Sequence, residues 1–444
     1  MTFTDRDRAV EAAVAQGLVG PGEPVAGLLD IAGIRRSAGE LRAAFEEFTA
    51  PGTPVLHAFA VKAASLVPVL RLLAQEGLGC EVASPGELAL ARTAGVPVAR
   101  TVLDSPAKTL AELREALALG IAVNADNPEE LARIDALMAS APSSAPIGLR
   151  VNPQIGGGTI GAMSTATDTS KFGVALRDEG AREWVVRAFL ARPWLTRLHA
   201  HVGSQGMPLE LMVAGVRALF LLAEEINEQA GRRQIDTLDI GGGLPVNFSS
   251  DAHTPTYREY AALLHSAVPG LLSGRYGLVT EFGRSLLAKH GAVLARVEYA
   301  KSAGGRPIAV THAGAQVATR TVFVPEAWPI RVAAYDAEGR PKTGAPVAQD
   351  IAGPCCFAGD LVAENRPLPL LDAGDHAALL DTGAYYFSTH FAYNSLPRPG
   401  VYGYAPDSDG TVRFATIRTP QTLEDLTAES GAAHAAALND LGRP

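Results

Sequence analysis

From about residue 55 to residue 285 the chain alternates short apolar runs, rich in Val, Ile and Leu, with longer helix-like stretches. That is the pattern of parallel strands joined by crossover helices. Eight runs stand out: VLHAFAV (55–61), GCEVAS (79–84), TVLDS (101–105), IAVNAD (121–126), IGLRVN (147–152), RLHAHV (197–202), IDTLDIG (235–241) and GLVTEFG (277–283). Segments such as 106–120 and 128–141 have the texture of the connecting helices. The α/β class follows, and eight parallel strands with helices between them close most simply into a (β/α)8 TIM barrel, with a doubly wound open sheet as the alternative.

Beyond Gly291 the pattern changes to Val-, Thr- and Tyr-rich segments broken by Gly and Pro, such as RVEYAK, GRPIAV, HAALLDTGAYYF and TVRFATIR. These predict a C-terminal β domain, a sandwich or a barrel. Residues 1–30 are too few to fold alone and are expected to pack on that domain. The expected organisation is therefore an N-terminal segment over 1–30, a barrel over 31–290 and a β domain over 291–444. SAPSSAP (140–146) reads as a surface turn.

Charge narrows the function. Across 444 residues, 38 Lys and Arg stand against 47 Asp and Glu, a net −9 without long like-charged runs. This argues against nucleic acid or an anionic membrane as the main partner and favours a small-molecule substrate. Three cysteines, two of them adjacent (Cys355, Cys356), make no disulfide framework, and no His/Cys spacing suggests a metal site. The N-terminus has acidic residues where a signal peptide is basic, and no stretch approaches ~18 uninterrupted apolar residues. A reducing cytoplasm is the expected compartment.

In a (β/α)8 barrel the chemistry lies at the C-terminal ends of the strands. Lys62 follows the first run, His201 and Ser204 close the sixth, Gly241, Gly242 and Gly243 end the seventh, and Glu281 with Arg284 ends the eighth. A lone lysine there is more often a snorkelling side chain. A triple glycine reads equally as a tight turn, and Glu281 with Arg284 is most often an ordinary ion pair. Together they offer a Schiff-base amine, a turn that a phosphate can approach with several N–H groups aimed at it, a cation and a hydroxyl for that anion, and a carboxylate for a pyridine nitrogen. Pyridoxal 5′-phosphate (PLP) requires these parts of a protein.

The motifs HAFAVKA, CEVASPGELALA (80–91), RVNP (150–153), DTSKFG (168–173), LHAHVGSQ (198–205), LDIGGGL (238–244), EFGRSLLAKHG (281–291), GPCCFAGD (353–360) and DTGAYYFS…YNSLPRP (381–399) occur in one order. In them the chain resembles the fold-type III PLP-dependent decarboxylases, most of all the diaminopimelate decarboxylase family, with ornithine and arginine decarboxylases more distant. The resemblance spans about Pro24 to Tyr404. It implies that Lys62 carries PLP and that His201 stacks on its ring. It further implies that Glu281 pairs with the ring nitrogen and that Gly241, Gly242, Gly243, Ser204 and Arg284 surround the phosphate. Tyr385 and the proton donor Cys356 would come from the partner in a homodimer with shared active sites. Glu281 also separates this reading from an amino-acid racemase on the same barrel, where an arginine meets the nitrogen. Cys355 reads as a small buried hydrophobe.

The same resemblance breaks where substrate choice is set. The family's Cys-Glu-Ser-Gly-Asp is here Cys356-Phe357-Ala358-Gly359-Asp360, and Phe357 cannot pair with a distal ammonium group. Arg320 in ATRTVFVPEAWP can stand for the family's arginine near the distal carboxylate, but the family's tyrosine has no clear equivalent, and Phe323 is nearby instead. Phe391 lies in Thr389-His390-Phe391-Ala392, where the family has smaller polar residues, and the Glu-Pro-Gly-Arg signature is Glu281-Phe282-Gly283-Arg284. These changes predict decarboxylation of an amino acid other than, or in addition to, meso-diaminopimelate. An intermediate of a siderophore or another specialised metabolite, or a carrier-bound amino acid, would fit. The alternatives are meso-diaminopimelate itself, yielding L-lysine, and Phe357 and Phe391 turned into a core.

Overall fold

The computed structural model describes residues 3–439 and 441. All eight apolar runs become strands: Val55–Ala60, Gly79–Val82, Thr101–Asp104, Ala122–Ala125, Ile147–Asn152, Leu195–His199, Thr237–Asp239 and Gly277–Thr280. They pair in parallel in chain order, and Gly277–Thr280 returns to pair with Val55–Ala60. The ring also joins Ala122–Ala125 to Ile147–Asn152, so no edge of an open sheet remains. Each barrel strand is fully buried over most of its length, and Ala58, Val102, Ala122 and Val279 pack together as one core cluster.

Local sequence decides where the connecting helices begin. Thr109 accepts from the Glu112 N–H while the Glu112 carboxylate receives the Thr109 N–H, so the helix of the 106–120 stretch runs Leu110–Leu119 and stops at Gly120, whose φ is +75°. Asn127 caps Pro128–Ser140, with proline at the first helical position, where a missing N–H costs nothing. Each cap is worth about 1 kcal/mol. Because all eight strands run the same way, their polar terminal residues share one rim.

The chain divides into two compact units, residues 32–289 and residues 1–31 with 290–444. In the second, Val25–Asp30 lies inside a mixed sheet, antiparallel to Gly291–Ala303 and parallel to Gly400–Pro406. Nine strands form this sheet, and His376–Leu380 branches from Gly291–Ala303 and carries Val332–Tyr335. The helix Asp5–Ala15 contributes Ala9, Val10 and Ala13 to a cluster with Leu28, Leu294, Tyr402 and Tyr404. The Tyr335 hydroxyl donates to the buried Asp7 carboxylate at 2.9 Å.

One strand-like reading is corrected. HAALLDTGAYYF is a strand only through Leu380, and residues 383–388 are turns. Asp381 and Tyr385 take φ of +60° and +72°, which no ladder accommodates, and the Asp381 carboxylate receives both arms of Arg331 at 2.9 and 3.0 Å. Among the described residues no helix is long and apolar enough to cross a membrane.

The Tyr335→Phe substitution removes the donor and leaves a buried carboxylate short of a partner. Denaturant unfolding is expected to show a loss of roughly 1–3 kcal/mol; an unchanged midpoint would mean that the Asp7 contact contributes nothing.

Candidate active site

Lys62 sits in a single helical turn, Val61–Ala63, directly after the first barrel strand. Its ammonium donates to Glu81 Oε2 at 2.7 Å, while its side chain stays about half exposed. Glu81 is fully buried in the next strand, and burial, partly offset by the Lys62 charge, raises its carboxyl above the ordinary value. The amine is thus anchored at its tip yet accessible.

The triple glycine is required by space. Gly241 and Gly243 have φ of +65° and +99°, where an L side chain is strained. A Cβ on Gly242 would strike the Glu281 carbonyl, one on Gly243 the Gly203 carbonyl beside Ser204, and one on Gly241 would lie 2.7 Å from His201 Nδ1. Two of the three amides are turned inward: Gly241 donates to Asp239 Oδ1 at 3.1 Å and Gly242 to His201 Nδ1 at 3.0 Å. The turn thus satisfies its own strand-end neighbours with these two amides. Arg284 opens the short helix Arg284–Leu287 and is buried.

His201 accepts at Nδ1, which requires a neutral ring with the proton on the other nitrogen. Burial, then the Arg150 and Lys62 charges, hold its pKa well below the usual imidazole value. Glu281, just beyond Gly277–Thr280, is buried, and its Oε1 has no hydrogen-bond partner among the described residues. Burial and the Asp239 charge push its carboxyl well above the ordinary range, against the pull of His199. A buried acceptor of this kind suits a charged or protonated nitrogen brought by a ligand.

Behind Glu281 lies a cluster that motif reading passes over. His199 Nε2 is 3.1 Å from Asp104 Oδ2, and His199 Nδ1 is 3.2 Å from Asp239 Oδ1. Arg150 donates to Asp104 at 2.9 Å and Asn124 to Asp239 at 3.0 Å. Every one of these residues lies in an apolar run, and Asp104, His199 and Asp239 are the last residues of their strands. The signal was a polar residue in each of GCEVAS, TVLDS, IAVNAD, IGLRVN and LDIG, read against the rule that the barrel's strand ends carry its chemistry.

The remaining expected site residues lie in the other unit. Arg320, in the helix Ala315–Phe323, has its guanidinium 4.8 Å from the Tyr385 ring and 5.2 Å from the Trp328 ring. Cys356 is exposed, and its N–H donates to Asn394 Oδ1 at 2.8 Å; Cys355 is buried, with burial and then Asp360 raising its thiol to about 11. Phe357 is not a core residue but one side of a closed ring of four aromatics. It stacks on Phe323 at 5.5 Å and meets Tyr393 edge-on at 5.7 Å, while Phe391 stacks on Tyr393 at 5.5 Å and meets Phe323 edge-on at 5.7 Å. Phe323 remains 54% and Tyr393 39% exposed, so the ring faces outward. Phe282, by contrast, is buried against Phe45, Tyr257 and Tyr260, which explains an aromatic residue in that turn.

Residues 35–288 match the model of the pyridoxal-dependent decarboxylase, pyridoxal binding domain, family. A diaminopimelate decarboxylase from Pseudomonas aeruginosa is 35% identical over 351 residues, covering 78% of this chain and 80% of its own, and one from Zymomonas mobilis is 30% identical over 377 residues, covering 84% of each. Diaminopimelate decarboxylase of Helicobacter pylori complexed with L-lysine superposes with a TM-score of 0.80 at 26% identity, covering 92% of this chain and 97% of its own. The M. jannaschii diaminopimelate decarboxylase in co-complex with L-lysine gives 0.82 at 26%, covering 95% and 94%.

Since a methyl group at residue 242 must displace the Glu281 backbone, Gly242→Ala is expected to lose about 1–3 kcal/mol in denaturant unfolding, the usual cost of overpacking. Gly161→Ala, where the added carbon meets nothing within 4 Å, serves as the control and should be neutral.

Proposed function

From the premise that the chain belongs to the pyridoxal-dependent decarboxylases, we propose that it decarboxylates an α-amino acid whose distal end bears no ammonium group, with Lys62, His201 and Glu281 as the cofactor's reactive-side partners. It is a PLP-dependent amino-acid decarboxylase similar to diaminopimelate decarboxylases. The observation that carries the assignment of the site is Glu281, a buried carboxylate with an unpartnered oxygen at a strand end of the barrel that also presents Lys62.

The residues fit the cofactor. The accessible Lys62 amine would attach it, and the side-chain-free turn of Gly241, Gly242 and Gly243, with Ser204 and Arg284, would give its phosphate room and charge. Bound there, PLP supplies an electron sink for the bonding pair released as carbon dioxide leaves. Glu281 would hold a proton on the ring nitrogen, which keeps that sink deep. His201, neutral and oriented by the Gly242 N–H, would present a flat face to the ring without adding charge. The exposed Cys356 thiol would return a proton to the α-carbon, and Cys356 and Tyr385 would be supplied by a second copy in a homodimer.

The substrate reading rests on the aromatic ring around Phe357. A carboxylate there would give an ammonium group a charge-assisted hydrogen bond worth about 1.5–3 kcal/mol, whereas an exposed aromatic face offers only about 0.5–1 kcal/mol. One face of Phe357 is already covered by Phe323, stacked at 5°. An uncharged, flat or aliphatic distal group suits this surface, and Arg320, steadied by two aromatic rings, suits a carboxylate beyond it. Similarity to diaminopimelate decarboxylases favours a second reading, in which meso-diaminopimelate is itself the substrate.

Carbon dioxide release from a panel of meso-diaminopimelate, lysine, ornithine, arginine, glutamate and amino acids conjugated at the distal end with the α-amine free separates the two readings. Turnover of members lacking a distal ammonium, with Phe357→Glu raising relative activity on meso-diaminopimelate by about tenfold or more, the equivalent of 1.4 kcal/mol, is the expected result; fast release from meso-diaminopimelate by the unaltered protein establishes the second reading instead. Lys62→Ala is expected to lose the visible absorbance of bound PLP together with activity. Retention of both would remove Lys62 from its role.

A further inference from the structure

The roles above leave His199 unused, although it is fully buried. Its Nε2 faces Asp104 Oδ2 at 3.1 Å, and its Nδ1 faces Asp239 twice, the carboxylate at 3.2 Å and the backbone carbonyl at 3.1 Å. Nδ1 hydrogen-bonds the Asp239 carbonyl, whereas Nε2 makes no hydrogen bond but lies within ion-pair distance of the Asp104 carboxylate. A neutral ring protonated at Nδ1 would turn its Nε2 lone pair toward that carboxylate, while an imidazolium puts positive charge between the two. The acceptors cannot rotate away, because Arg150 holds Asp104 while Asn124 and the Gly241 N–H hold Asp239.

Glu281 stands beside this assembly. One side-chain donor or acceptor atom each of Asp104, His199 and Glu281 lies within 4.8 Å of the others. The charged and titratable groups facing the cluster are the acids Glu81, Asp104, Asp239 and Glu281, with Asp126 and Glu87 at its margin, and the bases Lys62, Arg150, Lys108 and His199, with His201 neutral among them. Attaching Lys62 to a carbonyl would weaken the hold of one cation on this balance. Glu281 would then be the fourth buried carboxylate in the group, and like charges in a dry site cannot all stay ionised without compensation.

We infer that His199 is a positioning residue, an imidazolium held between Asp104 and Asp239 that favours the ionised form of Glu281 when the cofactor's ring nitrogen is beside it, so that Glu281 can hold the proton on that nitrogen. The inference rests on the assignment of Glu281 in the proposed function. Burial opposes the His199 charge, but the Asp239, Glu281 and Asp104 carboxylates outweigh it and hold its pKa well above the usual value; the Glu281 carboxyl, raised by burial and by Asp239, is drawn back mainly by His199. His199 also links Glu281 to the glycine turn through Asp239 and the Gly241 N–H.

Holoenzyme loaded with PLP labelled with ¹⁵N in its ring reports the nitrogen's protonation directly. In the unaltered protein the nitrogen should stay protonated from about pH 6 to 9, and in His199→Gln it should titrate within that range, with kcat lowered at least about tenfold and KM little changed. A folded His199→Gln holoenzyme with the nitrogen protonated as before overturns the inference and leaves the role of Glu281 standing. An unprotonated nitrogen in the unaltered holoenzyme overturns both. Should the variant fail to fold, ¹⁵N-histidine labelling of the unaltered holoenzyme decides, since His199 must show protons on both ring nitrogens near neutral pH, and a neutral His199 overturns the inference.

Discussion

Closure of the barrel is the constraint from which the rest follows. Hydrogen bonds between Gly277–Thr280 and Val55–Ala60 place the first and last strands side by side, and with them Lys62, just past one strand, and Glu281, just past the other. The same closure leaves every strand buried, so the connecting helices need only modest intrinsic stability and rely on caps at Thr109, Asn127 and Thr256 to set where they start. Parallel direction then gathers the polar strand ends on one rim without any motif having to specify it.

That rim is a problem in charge compensation. Burying Glu81, Asp104, Asp239 and Glu281 together is unfavourable unless cations and hydrogen bonds answer each one. Lys62 meets Glu81, Arg150 and His199 meet Asp104, and His199, Asn124 and Gly241 meet Asp239. Oε1 of Glu281, like Oε1 of Glu81 and Oδ1 of Asp104, has no hydrogen-bond partner among the described residues, and at Glu281, at the strand end nearest Lys62, a ligand nitrogen is the natural complement. The demand for glycine at residues 241, 242 and 243 belongs to the same economy of space. The turn passes so close to His201, Glu281 and Gly203 that no side chain fits.

The unit containing residues 290–444 solves a different problem. Phe323, Phe357, Phe391 and Tyr393 stack and abut in a closed ring that stays partly open to solvent, an arrangement in which each ring limits its neighbours to one orientation. Sequence comparison with the family's Cys-Glu-Ser-Gly-Asp picks out Phe357 as a change. It does not reveal that two other aromatics, Phe323 and Phe391, are part of the same change, because the three lie on separate segments. The Cys356 N–H bond to Asn394 ties two of those segments together.

The sequence by itself determined the fold class, the eight strands and the identity of Lys62, the triple glycine and Glu281 as residues worth placing, since apolar runs, turn residues and strand-end positions are local properties of the chain. It also marked Phe357 as foreign to the family pattern. Only the tertiary structure decided that Asp381 and Tyr385 leave the strand, that two glycine amides turn inward, and that His199 is clamped by two carboxylates from strands on either side of its own sequence position. The reason is that charge, burial and ring packing act through distances between residues far apart in the chain, and those distances exist only once the barrel has closed.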